Sequence, residues 1–360
     1  MSLEKRIFTT ECRAGQGLED LFILADARLA QSSNGPFWAL TIQDAAGKLD
    51  AKIWSPLSQQ YSVLPVGAVV LARGLVKSYR DQLQLTIDQL RIIDLKAEGL
   101  DYTGLVPTSS EQPEALLGQL EEISREYLVW PPWRKLIYQI FQDPEIRARL
   151  LIATGAKSVH HAYVGGLLEH TLSVVQICIA TCNYYPQLDR EILLTAAILH
   201  DLGKAWELTS VPVCDYTTLG RLLGHILIGL EVLEPFLRAY IPDSDLIIHL
   251  KHLIVSHHGE YEFGSPRRPK TAEAFVLHYA DNLDAKINQL TGVFDDMVRS
   301  ATKNGNKTRN TNTEDAIVEN EPKWSAYQRT LERYLYRPKV TPSPYGRILE
   351  SSLEMNRVNE

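Results

Sequence analysis

The chain reads as two domains of different class, a small N-terminal all-β barrel followed by a larger all-α helical bundle. Three observations carry this. Residues 1–97 hold short β-rich segments with partial apolar alternation. From about residue 114 the apolar period changes to 3.6. Between them, residues 98–113 are rich in Gly, Pro, Ser and Thr and have no periodicity. At 360 residues, the chain is long enough for each part to have its own core.

In the first part, segments 22–30, 37–43, 49–54 and 69–76 read as strands, with 44–48 as a hairpin turn. A further strand pair, 77–79 and 82–87, flanks Arg80-Asp81. Five or so strands, with a short helical stretch near 57–64, fit a small barrel. Residues 98–113 read as a linker and 114–337 as the helical domain, with period 3.6 sustained to about Leu290. Asp189 reads as an N-cap, and Gly203 as the C′ residue that ends the same helix. Residues 301–321 are polar and read as a mobile loop. A last helix is expected around 324–336, and 338–360 as a flexible tail.

Composition is ordinary for a globular protein, and no run approaches the roughly 20 apolar residues of a membrane span. Cys12, Cys178, Cys182 and Cys214 fit neither a disulfide framework nor a zinc ribbon. Cys178 and Cys182, four apart on an apolar helix, read as a pair of buried thiols. With no signal-peptide pattern at the start, the expected compartment is the cytoplasm. Net charge is −7, which argues against a blanket nucleic-acid coat. Residues 1–97 carry 11 Lys and Arg against 10 Asp and Glu, so the remainder holds −8. A nucleic-acid partner would need a local patch on the near-neutral part.

The strongest chemical signal is His200-Asp201, which ends an apolar helical run. A histidine and an aspartate leaving a buried helix together are costly to hide unless something binds them. Imidazole and carboxylate are ligands for divalent first-row metals. More polar groups interrupt apolar faces on neighbouring helices: His170, His225, His257-His258 and Asp281. One such histidine alone is more often a hydrogen-bonded core residue. The repeated anomaly points to a metal site, with enough ligands for two ions sharing Asp201. Two ions about 3.5–4 Å apart can clamp a phosphoryl group.

The order His170, His200-Asp201, His225, His257-His258, Asp281 resembles the HD-domain phosphohydrolase superfamily. The surrounding runs, His160 to Thr171, His200-Asp201-Leu202-Gly203-Lys204, Ser256-His257-His258-Gly259, Phe263-Gly264-Ser265-Pro266 and Asp281 to Lys286, are similar to those of the YhaM-type 3′→5′ exoribonucleases. That family places an OB-fold before the HD domain, and the resemblance spans about residues 15–295. It implies that His170, His200, Asp201 and Asp281 hold one metal and that Asp201, His225 and His257 hold the other. His258 is either a further ligand or an outer residue. Lys204 either holds a phosphate or leaving oxygen beside the catalytic Asp201, or is a cation at a helix C-terminus. His161 either touches the substrate phosphate or sits at the start of a helix. His249 and His252 fall off the seam and read as surface residues.

OB barrels bind single strands by stacking bases on aromatics while cations follow the backbone. Trp54, Lys52, Arg73, Lys77 and Tyr79 are the candidates on or beside the strands, with Phe37 a weaker one. Strand aromatics are commonly core, so each of these has a plain structural alternative. Arg267, Arg268 and Lys270 form a basic loop after His257-His258 that either steers a backbone or is a solvated turn.

The expectation is a metal-dependent 3′→5′ exoribonuclease acting on single-stranded RNA, with single-stranded DNA as an alternative substrate, to release nucleoside 5′-monophosphates. Two divalent ions are expected, Mn2+ foremost, with Fe2+, Co2+ and Mg2+ as alternatives. An HD hydrolase of nucleotides or cyclic dinucleotides is the alternative enzyme; a strand-tracking barrel speaks against it. A non-catalytic single-strand binder is the alternative of another class; the complete ligand set speaks against that.

Overall fold

Alternation in the first part does fold into strands. A computed structural model describes residues 4–79, 82–94, 97–98, 102, 104–109, 111–157, 161, 163–209, 214–305 and 323–338. It divides into two compact units, Met1–Ala285 and Lys286–Glu360.

Five strands close a barrel in the order β1-β2-β3-β5-β4. They are β1 (Gly17–Ser32), β2 (Gly35–Asp44), β3 (Gly47–Ile53), β4 (Val69–Tyr79) and β5 (Gln82–Ile93). Closure comes from a parallel pairing of β3 with β5, between Asp50–Gln84 and Ile53–Ile87. β1 is longer than its apolar run because its first half pairs with β4 and its second with β2, across a bulge at Leu24/Asp26. Residues 77–79 are not a separate strand but the end of β4, whose Tyr79 pairs with Gln82 of β5. The inward positions Phe22, Leu24, Ile42, Ile53, Val70 and Leu85 are buried. A 3-10 turn at Leu57–Gln60 is part of the segment read as helical.

Within 98–113, the described residues 104–109 are anchored to their surroundings. Leu105 and Val106 are buried with Leu21, Ile23, Val69 and Ile93, and Val164 packs against them. Thr108 forms a parallel bridge with Val164, which ties the segment to the run leading into the helical domain. Burying two apolar side chains recovers a few kcal/mol, at about 1.5–3 each, enough to hold a short Gly-containing stretch in place.

The helices are α1 (Pro113–Tyr127), α2 (Pro131–Gln142), α3 (Pro144–Ile152), α4 (Gly166–Tyr184), α5 (Arg190–Leu199), α6 (Lys204–Glu207), α7 (Thr218–Tyr240), α8 (Ser244–Ser256) and α9 (Ala272–Gly305). A two-residue pair, β6 (Leu208–Thr209) and β7 (Asp215–Tyr216), lies between α6 and α7. Each of α1, α2 and α3 opens with proline, whose missing N–H costs nothing there. Asp189 caps α5 as expected, accepting from the N–H groups of Glu191 and Ile192 at 3.1 and 3.3 Å. α5 is buried on nearly every side, with Ile192, Leu193, Leu194 and Ala197 in the core. Cys178 and Cys182 are free thiols buried in that core.

Gly203 is not a left-handed C′ residue. Its φ is −63°, and it caps α6 instead. Glycine is needed there for another reason: a Cβ would lie 2.0 Å from the His225 carbonyl oxygen and 2.6 Å from Gly229 N. The turn after His200-Asp201 is thus pressed against the α7 backbone.

In the second unit, α9 continues to Gly305, beyond the expected end near Leu290 and through part of the stretch read as a loop. The remainder of that loop and the tail from residue 339 lie outside the described residues. Residues 324–336 are not helical. They turn back on themselves, with bridges Trp324–Tyr336 and Gln328–Arg333. Trp324 faces Tyr336 and Tyr327 faces Tyr334, at ring separations of 5.1 and 5.3 Å. Cross-strand aromatic pairing outweighs a weak helical period here. Among the described residues, no helix is long and apolar enough to cross a membrane.

Candidate metal centre and nucleic-acid face

The seven candidate ligands are delivered by five helices. α4 carries His170, α5 runs out into His200 and Asp201, α8 runs out into His257 and His258, and α9 carries Asp281. His225 follows a break inside α7, where Gly224 takes φ 72° and ψ 158°. A side chain is strained at that φ, so glycine at this point lets the helix restart with His225 facing inward.

The side chains converge on the two oxygens of Asp201. His170 Nε2 lies 3.3 Å from Asp201 Oδ2 and 3.2 Å from Asp281 Oδ1. His200 Nε2 lies 3.4 Å from the same Asp201 oxygen and 3.9 Å from Asp281 Oδ1. On the other side, His225 Nε2 and His257 Nε2 lie 3.4 and 3.6 Å from Asp201 Oδ1. The His258 ring stands 4.4 Å from His257 and 5.0 Å from His225. His170, His200, Asp201 and Asp281 thus form one four-residue cluster, and His225, His257 and His258 a second.

The donor atoms fit a divalent cation. Nε2 of His170, His200, His225 and His257 and Oδ1 of Asp201 are buried with no hydrogen-bond partner. Each atom left so costs about 1–3 kcal/mol. Cations held by the two clusters would satisfy them together, and a nitrogen-and-carboxylate set suits Mn2+, Fe2+ or Co2+.

Every one of these imidazoles is oriented through its other nitrogen. His200 Nδ1 bonds the Ala197 carbonyl at 2.9 Å, and His257 Nδ1 that of Ile254 at 2.7 Å. His258 Nδ1 bonds the Phe263 carbonyl at 2.9 Å. His170 Nδ1 meets Asp284 at 2.6 Å. His225 Nδ1 meets both oxygens of Glu207 at 3.2 Å, and the backbone N–H of His225 donates to the same carboxylate at 3.1 Å. A carbonyl acceptor fixes the proton on Nδ1 and leaves the Nε2 lone pair for a metal. Asp284 and Glu207 were absent from the sequence-derived set. Asp284 stands one turn beyond Asp281 on α9, a spacing that could have flagged it; Glu207 meets His225 only through the fold.

Electrostatics agree with the geometry. Burial works against the Asp201 carboxylate, but Lys204 and the surrounding histidines outweigh it and hold it well below the usual range. Burial works against the carboxylates of Asp281 and Asp284 too, but His170 holds Asp281 low, and His161 and then His170 hold Asp284 low. Burial pushes His257 down and, with repulsion from His257 and His225, takes His258 down to about 3. His170 is the exception: its carboxylate partners overcome burial and raise it. Lys204 Nζ lies 2.6 Å from Asp201 Oδ2 and keeps its charge because Asp201 and Asp281 outweigh burial.

Several expected roles shift. His161 is buried, with Nε2 3.0 Å from Asp284 and Nδ1 3.0 Å from the Tyr163 hydroxyl. It backs the Asp284–His170 contact rather than facing solvent. His249 and His252 are half-buried rather than on the surface; His249 pairs with Thr271, and His252 accepts from Lys270 N.

On the barrel, Phe37 and Trp54 stack at 4.8 Å. Lys52 Nζ lies 5.3, 5.0 and 5.5 Å from the rings of Phe37, Trp54 and Tyr79. Lys52 and Tyr79 line a surface groove, which Asp26, Arg28 and Asp50 also border. Trp54 and Tyr79 are exposed, at 37% and 57%. Arg73 and Lys77 are exposed but do not line the groove, and Arg73 pairs with Asp88 at 3.1 Å. With Asp26 and Asp50 beside Arg28 and Lys52, the groove has no one-signed field; Tyr79 lines it, and the Phe37–Trp54 pair stands beside it across Lys52. Arg267 is exposed; Arg268 pairs with Glu260 at 2.7 Å and covers the Tyr261 ring at 5.0 Å.

Residues 24–93 match the OB-fold nucleic acid binding domain and residues 167–286 the HD domain. The chain is therefore an OB-fold protein carrying an HD-domain phosphohydrolase centre. It is 32% identical over 277 residues to the 3′-5′ exoribonuclease YhaM of Bacillus subtilis (strain 168), covering 77% of this chain and 87% of that one. The chain belongs to the YhaM family of 3′→5′ exoribonucleases. Among solved structures, the second OB-fold domain of replication protein A from Methanococcus maripaludis aligns over 24% of this chain and 94% of its own, at 17% identity and a TM-score of 0.22. The S. pombe Stn1-Ten1 complex aligns over 23% of this chain and 62% of its own, at 18% identity and a TM-score of 0.20.

Proposed function

We propose that this chain is a 3′→5′ exoribonuclease that shortens single-stranded RNA and releases nucleoside 5′-monophosphates, using two divalent ions, Mn2+ foremost, that share Asp201. The observation that carries this is the division of labour at Asp201: one oxygen faces His170 and His200, the other His225 and His257. His170, His200, Asp201 and Asp281 would hold one ion, and Asp201, His225, His257 and His258 the other. When bound, such ions supply Lewis-acid polarisation of a phosphoryl oxygen and lower the pKa of water.

The chain's own residues do the rest. Carbonyl-locked imidazoles present their lone pairs without reorganisation. Lys204, charged and 2.6 Å from Asp201, is placed to hold a phosphate or leaving oxygen as negative charge develops. On the barrel (residues 1–97), Tyr79 in the groove and Trp54 beside it would stack unpaired bases while Lys52 meets the backbone. Arg73, Lys77, Arg267 and Arg268 would add exposed positive charge along the strand. A single strand suits both parts, because duplex bases are already stacked on each other. The free, buried thiols of Cys12, Cys178 and Cys182 suit the reducing cytoplasm proposed here as its compartment.

A 5′-labelled linear RNA and its circular counterpart test this in the presence of Mn2+. A ladder from the linear RNA with an untouched circle is expected. Rapid cutting of the circle would make the protein an endonuclease.

A further inference from the structure

The Glu260–Lys270 loop carries two large aromatics that the metal centre does not use. Tyr261 is 57% and Phe263 62% exposed. Burying such rings normally stabilises a fold by a few kcal/mol, so leaving two adjacent ones in water has a cost unless they meet something.

The loop is neither remote nor loose. The Phe263 carbonyl accepts the Nδ1 proton of His258 at 2.9 Å, so its backbone is tied to a histidine of the second metal cluster. Its own turns are closed by Phe263 N to Glu260 O at 3.0 Å and Gly264 N to Tyr261 O at 3.0 Å. Ser265 Oγ, with one proton to donate, lies 2.6 Å from the Arg267 carbonyl within the loop and 3.2 Å from the Val255 carbonyl of α8. The Arg268 guanidinium lies over the Tyr261 ring at 5.0 Å and is held there by Glu260. Arg267 and Lys270 add exposed charge next to it. The result is a pre-formed rim of ring faces and cations, one imidazole away from the metal cluster.

We infer that Tyr261 and Phe263 form a base-stacking subsite for a nucleotide flanking the scissile phosphate. This rests on the exoribonuclease proposal above. Ring faces accept any base, so the subsite favours a single-stranded end without reading its sequence. Tethering to His258 gives the stack a function: it fixes the base where its own phosphate falls beside the metal ligands. It is separate from the barrel groove, which would hold nucleotides further along the strand.

The test uses the full chain with Mn2+ and four proteins: wild type, Tyr261→Ala, Phe263→Leu and the double variant. Substrates are an RNA oligomer and the same oligomer with an abasic ribose at the terminal or penultimate 3′ position. KM for the normal oligomer should rise about 5- to 150-fold in the double variant, equivalent to about 1–3 kcal/mol. Its kcat and metal content should stay near wild type. The abasic oligomer should bind wild type and double variant alike. If the double variant still prefers the normal oligomer by the wild-type factor, or loses kcat with KM unchanged, the subsite does not exist. Equilibrium binding of the same oligomers separates the two proposals. A wild type that releases no nucleotide sinks the exoribonuclease reading. A base-dependent binding difference, lost in the double variant, would still support the stack; equal binding would overturn it.

Discussion

Asp284 is predicted to set the affinity of one half of the metal centre without being a ligand. Its Oδ2 lies 2.6 Å from His170 Nδ1 and 3.0 Å from His161 Nε2. Asp284→Ala leaves both imidazoles without that partner and frees the His170 ring to rotate away from Asp201 and Asp281. Outer carboxylates of this kind contribute about 10–100-fold to metal affinity. That is about 1.4–2.8 kcal/mol, of the order of one charge-assisted hydrogen bond. The loss should fall on the ion held by His170, His200 and Asp281, while the one held by His225 and His257 binds as before. Calorimetric titration of the metal-free protein with Mn2+ reads this directly. Wild type should show two binding events, and Asp284→Ala should weaken one of them. Asp284→Asn, which keeps an acceptor oxygen, should recover part of the loss. Two unchanged affinities in Asp284→Ala would refute the supporting role.

Glu207→Ala should mirror this on the other side, weakening the ion near His225 by a similar factor; an effect confined to the His170 side would contradict it. Trp54→Ala should weaken binding of long single-stranded RNA by about 1–3 kcal/mol while leaving turnover of a dinucleotide unchanged, and equal affinity in a filter-binding assay would remove Trp54 from the RNA path. Gly203→Ala should destabilise the fold by about 1–3 kcal/mol or more, since its Cβ would meet the His225 carbonyl at 2.0 Å, so an unaltered thermal midpoint would count against it. In the metal-free protein His258, at about 3 against 6.5 when unfolded, binds a proton more readily in the unfolded state. Its contribution is therefore fully present above about 6.5 and is lost as pH falls towards 3. NMR should show its ring neutral at pH 5; a protonated ring at that pH would be the contrary result.

The candidate metal ligands were legible because each breaks an apolar helical face. A polar side chain at His170, Asp201 or His257 has no cheap structural explanation, and several such breaks point to one centre. The barrel was legible through period-2 alternation and a clear hairpin signal at 44–48. Less was visible where meaning depends on contacts distant in sequence. Glu207 becomes a support for His225 only because Gly224 breaks α7. Gly203 looked like a helix terminator, yet what requires it is the approach of the His225 backbone. The aromatics of 324–336 fit a weak helical period, and only the pairing of Trp324 with Tyr336 shows the turn they make. Residues 98–113 look like a spacer by composition, but Leu105 and Val106 find an apolar patch on the barrel's outside.

In the proposed centre, Asp201 joins two metal ions. Anomalous scattering from crystals of the Mn2+-loaded protein tests it most directly. Two peaks about 3.5–4 Å apart are predicted. One should be coordinated by His170, His200 and Asp281, the other by His225 and His257, with one Asp201 oxygen on each. A single peak, or two that do not share Asp201, would contradict it.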